Sequence, residues 1–293
     1  MDILKSQISA IVGNDNVITE PEELTPYYKG SIGFIPERSP LMAVKPGSDG
    51  EIKAILKTAA IHKTPITPFS SNKNGHGGSI PDIPGITIDL RRLNNILSFD
   101  ENGRNVVVEP GVTFAQLQKA AKEKGLKALT PIDLPAEDTS VLSSYLEMAP
   151  LFAWPKFGPE TLLTVEMMIP SGDVIKTGST YLPIMADKQS TPIFHVPALV
   201  DKVWFGAQGT FGIATKGTVR LKNAYEDQEV VFIPFNSFME CAPILQEIRR
   251  IDAGVELFLA NPAYLASLLC EDGEQRNHQR SNSRRTVCGL AKR

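Results

Sequence analysis

Between residues 41 and 90 three short apolar runs, Leu41 to Val44, Ile66 to Phe69 and Ile86 to Leu90, are bounded by proline or glycine and predict strands. Between the first two, Ser48 and Glu51 stand three apart as in a capping box, and the helix they open is predicted to run to about His62. Upstream, a short amphipathic helix around Ile3 to Ile11 and the run Val17-Ile-Thr lead into an irregular Pro/Tyr/Gly-rich passage that ends at Pro40.

The pattern changes after residue 90. A turn at Glu101-Asn-Gly103 between apolar runs, the second being Asn105 to Glu109, predicts a hairpin. Thr113 can cap a helix whose apolar positions are Phe114, Leu117 and Ala121, with Gly125 as its left-handed stop. Leu129 to Leu151 reads as a polar, proline-marked loop, long enough to line a ligand. Thr164 to Pro170 and Val174 to Thr177 predict a second hairpin, and the glycine-spaced stretch Gly206 to Thr215 precedes a strand from Thr215 to Leu221. From about Tyr225 the pattern resets, with a strand at Glu229 to Pro234 and a helix from Phe238 to Ile251. From Glu271 the residues turn polar, and Arg276 to Arg293 shows no apolar periodicity. That end reads either as a disordered basic tail or as a truncated or out-of-frame terminus.

Composition narrows the class. Of 293 residues 42% are hydrophobic and 22% charged, with a net charge of −3, values of a globular chain with no bias toward nucleic acid. No run approaches the roughly 18 apolar residues of a membrane span. The N-terminus lacks a basic segment leading into an apolar one, so the cytoplasm is the expected compartment. Cys241, Cys270 and Cys288 form no Cys-x-x-Cys pair, and His62, His76, His195 and His278 no metal-binding spacing, so no metal centre is expected.

The candidate chemistry lies in Ser70, Ser71, Asn72, Lys73, Asn74, Gly75, His76, Gly77, Gly78 and Ser79, which leave a strand. Glycines let several backbone N–H groups converge on phosphate oxygens, and the serine, asparagine and lysine side chains add donors and charge. Lys73 precedes the glycines, which excludes a Walker loop, and Ser-Ile-Pro follows them, which excludes the dinucleotide fingerprint. The loop alone leaves a phosphate cradle and a plain turn both open.

With four further stretches, this loop resembles the p-cresol methylhydroxylase type of FAD-binding domain, shared by vanillyl-alcohol oxidase and by D-lactate and glycolate dehydrogenases. The matching pieces are Pro65 to Ser79, Ile88 to Ile96, Val108 to Thr113, Met168 to Gly178 and Gly209 to Lys216, in that order over residues 40–222. The resemblance implies an α+β fold: a lead-in at 1–39, an FAD-binding domain of two α+β subdomains at 40–223, an incomplete α/β cap domain at 224–270, and an irregular or disordered tail at 271–293. It implies FAD with its diphosphate on residues 70–79, and further contacts from Pro110, Gly111, Ser140, Gly212 and Ile213.

His76 falls near the position where some members attach flavin through histidine. The loop is one residue shorter than that pattern and no companion cysteine loop follows, so a neutral donor or an exposed side chain are the other readings. Leu142-Ser-Ser144 departs from the glycine-rich family pattern. The family's catalytic residues lie mainly in the longer cap domain, so none is assigned. The implied function is an FAD-dependent oxidoreductase passing hydride from a 2-hydroxy acid or phenolic alcohol to flavin N5. Electrons would leave to a partner subunit, quinone or oxygen. The alternative is a flavin-binding subunit or truncated fragment without activity of its own. Phe194 to Pro197 and Trp204 could line the site or belong to the core.

Overall fold

The structure is a computed structural model describing residues 2–29, 37–71, 78–131, 137–148, 161–178, 203–224, 229–251, 256–261 and 286–292. The chain forms two compact units, one of residues 1–150 and 157–223, the other of 151–156 and 224–293.

The first unit holds two sheets. In one, β1 (Val17–Ile18), β2 (Met42–Val44), β4 (Ile86–Asp89) and β3 (Ile66–Phe69) lie side by side in that order. The last three are parallel, and β1 is an antiparallel edge. Pro68 sits in β3, the other edge strand, where a missing N–H breaks no ladder. The crossover from β2 to β3 is helix α3 (Asp49–Ile61), capped by the Ser48 hydroxyl on the Glu51 N–H. The Glu51 carboxylate turns back to the N–H of Gly47 rather than of Ser48, a capping box displaced by one residue. α1 (Asp2–Val12) is amphipathic, and Leu4, Ile8 and Val12 pack into the same core as Ile52 and Ile55 of α3 and Met42, Val44, Ile86 and Ile88 of the sheet. A short helix, α2 (Pro21–Leu24), follows β1.

The other sheet is antiparallel, in the order β5 (Ile96–Asp100), β6 (Asn105–Val108), β10 (Ile213–Asn223), β8 (Leu162–Met168) and β9 (Val174–Lys176), with β7 (Leu126–Ala128) on the far end of β10. Both predicted hairpins are present. α4 (Phe114–Lys122) carries a full Thr113–Gln116 capping box, and Gly125 beyond it has φ +66°. The stretch 129–151, expected as a loop, holds a helix, α5 (Val141–Leu146), capped by Ser140. Ser143-Ser144 hid it, since serine scores poorly by propensity although Val141, Leu142 and Tyr145 are buried.

The two sheets share a core. Met168 at the end of β8 and Ile213 at the start of β10 pack among the residues of the parallel layer. Beside them, Lys216 of β10 pairs with Asp49 at the start of α3, at 3.1 Å, and with Glu166 of β8, at 3.4 Å. Burial lowers the Lys216 pKa, but the Asp49 hydrogen bond and charge, followed by Glu166, outweigh it and hold the amine above its ordinary value.

The second unit contains β11 (Glu229–Phe235), α6 (Phe238–Arg250), β12 (Glu256–Ala260) and β13 (Thr286–Lys292). β13 is the central strand, antiparallel to both neighbours, which corrects the expectation of an irregular tail at 271–293 for residues 286–292. Main-chain hydrogen bonds on both edges hold this strand, and they need no side-chain periodicity to form. The rest of 271–293 lies outside the described residues. Cys241 of α6 is fully buried against Phe235, while Phe232, Phe238 and Met239 are exposed.

Candidate functional site

The glycine loop leaves the carboxyl end of β3, where open sheets with parallel strands receive ligands. Of its ten residues Ser70, Ser71, Gly78 and Ser79 are described; Asn72, Lys73, Asn74, Gly75, His76 and Gly77 lie outside the described residues. Ser71 is buried, and its hydroxyl accepts the N–H of Ser140 at 3.1 Å. Ser140 in turn donates its hydroxyl to the carbonyl of Pro110 at 2.6 Å and caps α5 by accepting the Ser143 N–H. One serine thus ties the root of the loop, the Pro110 turn and the start of a helix together. Gly111 directs its N–H to the carbonyl of Leu93 at 2.7 Å. A Cβ there would stand 2.8 Å from the carbonyls of Leu90 and Leu93, so glycine is required for close approach, not to offer a donor. Gly212 is pressed the same way against the carbonyl of Met168, 2.8 Å from where its Cβ would be, and Ile213 beside it is buried as β10 begins.

Two clefts flank Phe69 and Ser70. The first is a narrow slot of about 110 Å³, mostly apolar, walled by Pro68, Leu90, Pro110, Leu142, Leu146, Met167, Trp204, Gln208, Phe211 and Gly212, with Gly78 and Ser79 at its rim. The second, about 490 Å³, is polar and is lined by Lys29, Ser71, Arg91, Asn94, Gly111, Thr113, Gln116 and Asp138. The Ser71–Ser140–Pro110 chain of hydrogen bonds stands between them, with Ser71 facing the polar cleft and Pro110 the apolar one.

Residues 40–178 match the model of a family described as an FAD binding domain. That match spans just under half of the chain, which is thereby similar to FAD-binding flavoproteins. The chain is 26% identical over 272 residues to the flavoprotein subunit of 4-cresol dehydrogenase (hydroxylating) from Pseudomonas putida, covering 90% of this chain and 50% of that one. To a glycolate oxidase subunit of Bacillus subtilis it is 27% identical, over 77% of this chain and 47% of the other. The crystal structure of p-cresol methylhydroxylase with substrate bound superposes with a TM-score of 0.80 at 19% identity, covering 99% of this chain and 60% of that one. The chain therefore spans about half the length of the curated relatives it matches.

The residues fit an FAD domain on grounds independent of those likenesses. Both clefts border Ser70 at the root of the glycine loop, one mostly apolar and one polar, as a cofactor with flat rings and a diphosphate requires. Trp204 lines the apolar slot at 7% exposure, and its indole N–H has no hydrogen-bond partner among the described residues. A buried donor left unpaired costs about 1–3 kcal/mol unless a ligand or water takes it.

The first unit also contains a charged network that periodicity did not reveal. Asp89, at the end of β4 and 1% exposed, accepts the Tyr27 hydroxyl at 2.8 Å and two hydrogen bonds from the Arg91 guanidinium, at 2.9 and 2.6 Å. Arg91 lies over the rings of Tyr27 and Phe69, 5.8 and 5.2 Å from their centroids. Burial first, then the Asp89 charge, pushes the Tyr27 hydroxyl pKa well above the usual tyrosine range, and the Asp89 hydrogen bonds raise that of Arg91. Tyr27 thereby fastens the N-terminal segment onto Phe69, the residue that precedes the loop. Gln208 went unnoticed too. It has φ +50°, rare for a residue with a Cβ, and that is a property of the folded backbone alone. Phe194 to Pro197 lie outside the described residues.

Proposed function

We propose that this chain is the FAD-binding part of an oxidoreductase that oxidises a phenolic alcohol or a 2-hydroxy acid, with the diphosphate on residues 70–79. The observation that carries this reading is the loop root itself, where Ser71, Ser140 and Pro110 form one hydrogen-bonded partition between two clefts. The 4-cresol dehydrogenase and glycolate oxidase likenesses support the two substrate classes. When bound, FAD supplies a two-electron acceptor that takes hydride at N5. The chain's own residues bind and orient. Ser70, Ser71, Gly78, Ser79 and the start of β10 at Gly212 and Ile213 cradle the cofactor, and Leu142 and Phe211 keep water from the slot. An electron-accepting partner subunit and a cytoplasmic location complete the proposal. Among the described residues no helix is long and apolar enough to cross a membrane, and no group of His, Cys, Asp and Glu could hold a metal.

A second reading is a flavin-binding module whose substrate chemistry depends on another polypeptide. Phe238 and Met239, 60% and 76% exposed in the second unit, favour it, because such side chains are ordinarily covered. The test is anaerobic mixing of the FAD-loaded protein with a 4-alkylphenol, glycolate and D-lactate while the visible flavin absorbance is followed. Bleaching by one of them establishes the oxidoreductase and its substrate class, and a flavin spectrum that none of them bleaches leaves the second reading. Acid precipitation of the same sample should release the colour to the supernatant; colour held in the pellet would make His76 the attachment point.

A further inference from the structure

The parallel ladder of β3 and β4 ends where the glycine loop begins. Phe69, the last residue of β3, stands opposite Asp89, the last of β4, and this pair is the final register position before Ser70 and Ser71. β3 is an edge strand with a neighbour on one side, and Pro68 has no N–H to give, so the ladder itself holds this end weakly. Tyr27 closes the pair from outside. Its hydroxyl donates to the Asp89 carboxylate at 2.8 Å from 62 positions earlier in the chain, and its ring meets that of Phe69 with centroids 4.7 Å apart. With Leu24 and Ala43, Tyr27 and Phe69 form a small buried cluster distinct from the main core. Arg91 lies over both rings while its guanidinium holds Asp89.

The segment that carries Tyr27 is slight. α2 is a single turn, and Thr25–Tyr27 is one turn of 3-10 helix. From Pro21 to Lys29 only Leu24 and Tyr27 are buried. A segment held by two side chains can release while the sheet stays folded, because local opening needs less than the global free energy. Docked, it fixes Phe69, and Phe69 fixes where Ser70 and Ser71 leave the strand, Ser71 being bonded onward to Ser140. We propose that Tyr27 is a positioning residue for the cofactor loop: docking of residues 21–29 on Phe69 and Asp89 sets the loop root for FAD, and bound FAD holds the segment down. This rests on the FAD-binding reading, and neither on a substrate nor on which cleft takes which part of the cofactor. Linkage makes the two effects one number, since the factor by which FAD favours docking equals the factor by which docking tightens FAD.

The test uses the full chain, trypsin and FAD. Lys29 is exposed two residues beyond Tyr27, and cleavage after it, mapped by mass spectrometry, reports release of the segment. Saturating FAD should slow that cleavage about tenfold, within the usual range of coupling between sites. Tyr27→Ala, which cannot dock, should be cut at one rate with or without FAD and bind FAD about tenfold more weakly by flavin fluorescence. Tyr27→Phe keeps the ring on Phe69, loses the Asp89 bond, and should fall between the two in both measurements. Leu4→Ala, in the main core, reports what destabilisation alone does, and its FAD affinity should stay within about twofold of wild type. A Tyr27→Ala chain that is cut faster yet binds FAD as wild type does would make Tyr27 purely structural and overturn the proposal. So would an equal loss of affinity in Leu4→Ala, or wild-type cleavage that bound FAD leaves unchanged. Should Tyr27→Ala not fold, the protection of wild type and the affinity of Tyr27→Phe decide. A wild-type chain that takes up no FAD overturns the FAD reading itself, and this proposal with it.

Discussion

The two clefts on either side of Phe69 and Ser70 share a wall and differ in how their polar groups are used. In the polar cleft the strongest charge is already engaged, since Arg91 spends its guanidinium on Asp89 and its flat face on Tyr27 and Phe69. In the apolar slot the polar groups are few, and the Trp204 indole N–H has no partner among the described residues. Charge alone is therefore a poor guide to where a ligand goes. A satisfied ion pair holds the fold, whereas a buried donor in an apolar wall still has a hydrogen bond to give.

Breaking the network beside the polar cleft has the largest expected effect. Asp89→Ala removes a buried carboxylate and strands both the Tyr27 hydroxyl and the Arg91 guanidinium. It should cost about 3 kcal/mol in urea unfolding, the lower end for splitting a buried pair because Arg91 is half exposed. The N-terminal segment should also become more open to proteolysis. A loss under about 1 kcal/mol would mean that Arg91 is held by its ring contacts alone.

Ser140→Ala acts on the partition, and so on both clefts. It removes the cap of α5 and the bond to Pro110, while the Ser140 N–H to Ser71 remains. The expected cost is about 1–2 kcal/mol, with weaker FAD binding measured by flavin fluorescence. Unchanged affinity would show that Ser71 alone positions the loop root.

The smallest effect at neutral pH becomes the clearest in alkali. Tyr27 and Tyr145 both keep their protons above the ordinary tyrosine value of 10.0, in each case first through burial. The Leu129 carbonyl accepts the Tyr145 hydroxyl at 2.6 Å. Lys216 likewise keeps its proton above 10.5. The folded state then holds more protons than the unfolded one above pH 10. Stability from these groups is full below that pH and falls as pH rises past it. Two of the six tyrosines should accordingly resist ionisation until the protein unfolds, read as delayed tyrosinate absorbance. Ionisation of all six in a single step near pH 10, with the fold intact, would contradict the burial of both.

The local signals were sound wherever a neighbour in sequence made the structure. The Thr113 capping box, the Asn102-Gly103 turn, the β8–β9 hairpin and the β2–α3–β3 crossover all depend on residues a few positions apart, and their patterns were visible in the chain. α5 was missed because its helix is written in serines and stabilised by burial, and β13 because its partners lie far back along the chain. The family pieces likewise carried Ser71, Pro110, Ser140 and Gly212 as candidates, since each belongs to a stretch with a recognisable order.

What the amino-acid order determined by itself was a glycine-rich stretch after a strand, its accompanying turns, and a resemblance that led to FAD. Only the tertiary structure decided that Ser140 bridges Ser71 to Pro110, that Gly111 spends its N–H on Leu93, and that Asp89 consumes the charge of Arg91. It alone showed that the Trp204 indole has no partner among the described residues and that Gln208, on the same wall, takes φ +50°. The physical reason is that a hydrogen-bonding group has the same chemistry anywhere in a sequence, and whether it is satisfied depends on what the fold brings within about 3 Å of it.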